Sequence, residues 1–248
     1  MTETPVEETK NFGAAVIGIR EVATAISLAI AAFAIYAISW HFDDILSRDA
    51  ISYLRTAEGS EPGFLFLPVF IWSEMYRHGL DPAYWGIVLN MAAVAAAGGL
   101  LFLLALKLFR SFSVALAGGL LFVFNPLVMR YSFELQREPL LLFFQVAALA
   151  GIIGGLSHRL AWWLVGGICT AAAFLCRFEG IECLVFEMIW LAWSWLRPKE
   201  TQQRRKIVLD AVVFVAAFCL SLSLYCLAAG LPVVELLLKI AGKAKGMG

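Results

Sequence analysis

Three stretches of the chain gather side chains able to hold an anion and move a proton. The segment from His41 to Pro82 carries Asp43, Asp44, Asp49, Glu58, Glu61 and Glu74. The segment from Arg130 to Glu138 adds Arg130, Glu134 and Glu138, and the short run Arg177-Phe178-Glu179-Gly180 adds an arginine and a carboxylate two residues apart. An arginine presents a planar fork of N–H donors that fits a phosphate bidentately, and a carboxylate can take the proton of a hydroxyl nucleophile. Such a set suits a site for an anionic head group; it equally suits a solvated rim of mutually paired charges. Other chemistries have less to draw on. The five cysteines, Cys169, Cys176, Cys183, Cys219 and Cys226, lie in or beside apolar runs without a CxxC pair, which suits packing. The three histidines, His41, His78 and His158, are too scattered to build a metal cluster.

The elements that must position these groups are membrane helices. Of 248 residues 61% are apolar and 15% charged, with a mean hydropathy of +0.82, more apolar and less charged than one soluble core can use. Nineteen basic and 19 acidic side chains give a net charge of +0, so the basic footprint of a nucleic-acid binder is missing and no nucleic-acid partner is expected. A spanning helix needs about 20 mostly apolar residues. Seven runs approach that: Val22 to Trp40, Tyr84 to Leu106, Phe112 to Met129, Pro139 to Leu156, Leu160 to Cys176, Ile181 to Leu196 and Ile207 to Gly230. The sixth is short and holds Glu182 and Glu187. Phe64 to Tyr76 is apolar but shorter still, and is expected as a helix at the membrane interface. The expected fold is therefore all-α, a polytopic bundle of about seven spans.

Basic residues set the expected orientation. Lys107 to Arg110, His158-Arg159 and Arg197 to Lys206 occupy alternate loops and mark the cytoplasmic side. Residues 1–21 form a cytoplasmic segment whose acidic start (Glu3, Glu7, Glu8) lacks the features of a cleaved secretory signal, so the first run is expected to stay in the protein. Residues 22–230 form the transmembrane module, with an external loop over 41–83, and residues 231–248 are a tail whose Lys239, Lys243 and Lys245 mildly oppose an external placement. This topology sends all three chemistry-bearing stretches to one external face. Small residues at Ala147, Gly151 and Gly155, and the pairs Gly98-Gly99, Gly118-Gly119 and Gly166-Gly167, are expected at helix contacts, where lipid leaves close backbone approach as the main source of cohesion. Asn125-Pro126 is expected to break the third run.

Taken in order, three motifs resemble the GT-C membrane glycosyltransferases, the group containing protein O-mannosyltransferases and aminoarabinose transferases of lipid A. They are Arg48-Asp49-Ala50-Ile51-Ser52-Tyr53-Leu54-Arg55-Thr56-Ala57, then Asn125-Pro126 through Arg130-Tyr131-Ser132-Phe133-Glu134 to Glu138-Pro139-Leu140, then Arg177-Phe178-Glu179-Gly180. The resemblance covers about residues 20–230. It implies a polyprenyl-phosphate sugar donor, a glycan, lipid or protein acceptor, an external site in the bacterial inner membrane, and transfer with inversion. It names Asp49 as the base, with Tyr53 one helical turn behind it and Asp43 and Asp44 as rivals. Arg177 is the candidate for the donor phosphate, with an ion pair to Glu179 or Glu138 as the competing role and Arg130 as a second basic candidate, more suited to anchoring. Glu138 and Glu134 are candidates to orient the acceptor or bind a divalent cation, Mg or Mn; an acid at Glu138 also suits a helix first turn. The family usually continues with further spans, so a compact enzyme and a truncated, inactive subunit are both open.

One further reading competes. Glu187, about five residues inside the sixth run, would be the coupling residue of a small transporter or lipid-handling protein, although no internal repeat accompanies it. A protonated side chain, or one hydrogen-bonded to a neighbouring helix, is the preferred account of it. Asp210, beside Arg204 to Lys206, is expected to be their counter-ion.

Overall fold

The computed structural model describes residues 17–40, 48–60, 66–155, 160–196 and 201–232. Among them every regular element is helical: α1 (Ile19–Trp40), α2 (Arg48–Ala57), α3 (Leu67–Arg77), α4 (Pro82–Phe109), α5 (Phe112–Val123), α6 (Pro126–Phe133), α7 (Glu138–Gly155), α8 (Leu160–Cys176), α9 (Ile181–Leu196) and α10 (Thr201–Ala228), with a single 3-10 turn at Phe178–Gly180. Helices are what lipid demands, because each backbone N–H and C=O must find a partner within the chain. α1, α4, α7 and the Arg204–Ala228 part of α10 are long and apolar enough to cross a membrane; α8 is apolar but has only 17 residues. All seven apolar runs are thus helical, though their reach is unequal.

The third run departs from a straight span. α5 ends at its C-cap Phe124, and Asn125 caps the start of α6, its side-chain oxygen accepting from the Leu127 N–H at 2.9 Å, while Pro126 takes the first helical position, where a missing donor costs nothing. The two pieces bend by 50°, so they form at most one broken span and bring the total to five. The carbonyl that α5 leaves open at Val123 is satisfied from α1: the Tyr36 hydroxyl, buried in the core, donates to it at 2.6 Å.

α4 is the central helix, packed against α1, α5 and α7; α7 in turn packs on α8, and α8 on α10. Two contacts show why glycine is required. A Cβ on Gly99 would lie 2.8 Å from the Ala25 carbonyl oxygen of α1, and one on Gly151 would lie 2.6 Å from the backbone nitrogen of Gly166 on α8. Close approach of the backbones supplies the dispersion contact that apolarity cannot supply in lipid.

α2 and α3 close one end of this bundle. α3 forms where an interfacial helix is expected, but it is held by protein: Trp72 is fully buried over Gly86 of α4, and Phe70 meets Tyr225 of α10 edge-on at 5.6 Å. Trp40, Tyr84 and Trp85 stack beside it, at 5.5 and 5.3 Å, like an aromatic belt. The opposite end is basic. There Arg20 lies 5.4 Å from the Phe112 ring, the Lys107 ammonium donates to the Ile153 carbonyl at 3.0 Å, and Arg204 lies 5.7 Å from the Trp195 ring.

Candidate anion and acid-base site

The capped end of the bundle collects the start of α2, the α6–α7 link and the α8–α9 turn. Asp49 stands exposed in the first turn of α2, where a carboxylate complements the helix dipole. Tyr53 follows one turn later, its ring 6.0 Å from that of Trp72.

The α6–α7 link is pinned from inside the membrane bundle. Asn90, fully buried in α4, donates its amide protons to the carbonyls of Glu134 at 2.8 Å and Gln136 at 3.0 Å. Leu135 between them is fully buried against α4. The chain then presents Arg137 and Glu138 as α7 begins. The guanidinium carbon of Arg137 lies 4.1 Å from the Phe66 ring centroid and 5.1 Å from that of Tyr53, within cation–π range of both. Burial pushes the Tyr53 phenol up; Arg137 opposes this through its charge and a hydrogen bond, and the carboxylates of Asp49 and Glu138 push it up further. Tyr53 thus lies within the fields of Asp49, Arg137 and Glu138.

The α8–α9 turn supplies Arg177. Gly180 sits directly on the Ala173–Phe174 backbone of α8, where a Cβ would have no room, so the turn folds back tightly and aims Arg177 toward α7. Its guanidinium reaches two carboxylates. One N–H group is ion-paired with Glu138; Nη2 and Nε grip Glu179 at 2.8 and 3.2 Å. This fork-on-fork hydrogen bonding holds the Glu179 carboxyl below its usual range and keeps Arg177 firmly protonated. Two buried polar atoms next to this pair, Nε of Arg137 and Oε2 of Glu138, have no partner among the described residues.

The residues expected from sequence thus fall into groups. Glu138, Arg177 and Glu179 come together, and Tyr53, one turn after Asp49, meets Arg137 beside Glu138. Arg130 and Glu134 pair with each other at 3.1 Å, Arg130 being 73% exposed, and Glu134 also accepts from Gln136 at 3.0 Å. No ion pair among the described residues joins that couple to the Arg177 cluster. Asp43 and Asp44 lie outside the described residues. Glu187 is fully buried in α9 with neither carboxylate oxygen partnered, apart from the cluster, and Asp210 is buried in α10. Among the described residues no three His, Cys, Asp or Glu side chains are grouped as metal ligands. Glu138 is ion-paired with Arg177 and Glu134 with Arg130.

Two contributors escaped the sequence reading. Arg137 carried a signal, since it directly precedes Glu138; Asn90 carried another, as a lone amide inside a long apolar helix.

Residues 79–225 match the family described as dolichyl-phosphate-mannose-protein mannosyltransferase. The matched stretch holds Asn90, Arg137, Glu138, Arg177 and Glu179, and begins after α2. Neither a curated protein nor a solved structure gives a match.

Proposed function

The chain belongs to the dolichyl-phosphate-mannose-protein mannosyltransferase family, of the GT-C membrane glycosyltransferase type, and from that premise we propose that it moves a sugar from a polyprenyl-phosphate donor to an acceptor hydroxyl at the capped end of its bundle. The observation that carries this reading is the meeting of two distant segments at one end: Tyr53 of α2, one turn after Asp49, lies 5.1 Å from the guanidinium carbon of Arg137, which directly precedes Glu138. Asp49 is the base. It is exposed, hence open to an acceptor arriving from water, and it has no arginine of its own among the ion pairs of the cluster.

The reaction follows from these positions. The acceptor O–H gives its proton to the Asp49 carboxylate as its oxygen bonds to the anomeric carbon. The bond from that carbon to the phosphate oxygen breaks, the electron pair leaves with the polyprenyl phosphate, and attack opposite the leaving group inverts the anomeric centre. The phosphate passes from monoanion to dianion in this step, so a fixed cation beside it stabilises the transition state more than the ground state. The donor's tail stays in lipid alongside the bundle. The basic opposite end supports a cytoplasmic placement for that end and an external one for the site.

The test is purification followed by mass spectrometry for copurifying polyprenyl phosphate lipids, with a transfer assay on a panel of polyprenyl-phosphate hexoses and pentoses. A bound polyprenyl phosphate and transfer from at least one donor are expected. Failure to bind any such lipid or use any such donor would overturn the reading.

A further inference from the structure

Two arginines flank Glu138, and their electrostatic situations differ. Arg177 is held by two carboxylates, Glu138 on one side and a bidentate Glu179 on the other. An anion arriving there would compete with both and be repelled by both. Arg137 is paired with no carboxylate among the described residues. Its guanidinium is instead held by its faces, against Phe66 at 4.1 Å and Tyr53 at 5.1 Å. Stacking uses the π-faces of a guanidinium and leaves its edge donors for hydrogen bonding. Nε among those donors is without a partner among the described residues, the residue is only partly buried, and the adjoining backbone is tied to α4 by Asn90. Beside it the buried Oε2 of Glu138 is an acceptor without a donor, matched to a hydroxyl rather than to a phosphate oxygen.

We propose that the aromatic cradle of Tyr53 and Phe66 holds Arg137 as the group that binds the phosphate of the lipid-linked sugar, with the free oxygen of Glu138 accepting from a hydroxyl of that sugar, and that Arg177 is a clamp fastening α7 to the α8–α9 turn. This rests on the glycosyltransferase reading above and refines it. The cradle spans three segments: Tyr53 comes from α2, Phe66 from the residue ahead of α3, and Arg137 from the start of α7. Phosphate binding would therefore draw the cap onto the bundle.

The test uses the full chain in lipid nanodiscs, with undecaprenyl phosphate and the uncharged undecaprenol as probes, read by native mass spectrometry. Arg137→Met is expected to weaken undecaprenyl phosphate binding by about tenfold or more, the scale of a lost hydrogen-bonded charge, and to leave undecaprenol binding unchanged. Arg137→Lys restores part of the loss, since a point charge replaces the fork. Arg177→Met lowers the melting temperature while undecaprenyl phosphate affinity, measured well below that temperature, stays within about threefold of the parent. Parental phosphate affinity in Arg137→Met, or loss of it in Arg177→Met but not in Arg137→Met, would overturn the assignment and leave the glycosyltransferase reading standing. A parent that binds undecaprenyl phosphate no better than undecaprenol would overturn both.

Discussion

Arg177 illustrates how far a single residue could be read from sequence. An arginine at the mouth of two apolar runs must meet an anion, and its partners Glu138 and Glu179 were already among the chemistry-bearing residues. Which anion it meets depends on the fold of Gly180 against α8, which no spacing rule gives. Arg137 was harder. Its distinction lies in the rings of Tyr53 and Phe66, brought to it from segments far away in sequence. The Arg177–Glu179 pair also makes an acid-dependent contact. Because the folded-state Glu179 carboxyl titrates below its ordinary range, its stabilisation is present above the ordinary carboxylate range and is lost as pH falls through the lowered value. Glu179 is 56% exposed, so solvent screens the effect and it is small. Melting temperatures of the parent should fall between about pH 5 and pH 2 more than those of Glu179→Gln; identical falls would show that the pair adds nothing to the pH dependence.

At the scale of elements, hydropathy was enough to find the apolar helices but not the polar α2, and two further details lay beyond it. The Asn125-Pro126 step was legible as a break, but the 50° bend between α5 and α6 depends on where α1 offers Tyr36 to Val123. α3 read as an interfacial helix because its apolar residues could face lipid as readily as protein; only the fold shows Trp72 buried over α4. The small-residue positions divide in a way sequence could not show. Gly151 lies against the backbone of Gly166, whereas a side chain on Gly118 would enter open space. Gly151→Leu should therefore destabilise the detergent-solubilised protein by at least about 1–3 kcal/mol, the usual scale of overpacking, and Gly118→Leu should not. Equal melting temperatures for the two variants would show that the α7–α8 contact is looser than its geometry.

For the whole molecule, the charge pattern and the fold agree in separating two ends: one basic, with Arg20, Lys107 and Arg204, the other carrying the paired acids and arginines of the site. Reporter fusions at Gln202 and Gly59 should accordingly report opposite compartments, with Gln202 cytoplasmic; a shared compartment would place the site on the wrong face for an external acceptor. The family match covers residues 79–225, and the acid proposed to complete the reaction comes from α2, ahead of that stretch. The joining of α2 to the rest of the site is thus the central claim, and Asp49→Asn tests it most directly. The amide keeps the shape of the side chain and cannot take a proton. With a donor the parent uses, sugar transfer should fall by about 10²- to 10⁴-fold, the typical contribution of general-base catalysis, while melting temperature and undecaprenyl phosphate binding stay at parental values. Transfer by Asp49→Asn at the parental rate would contradict the account and remove α2 from the chemistry.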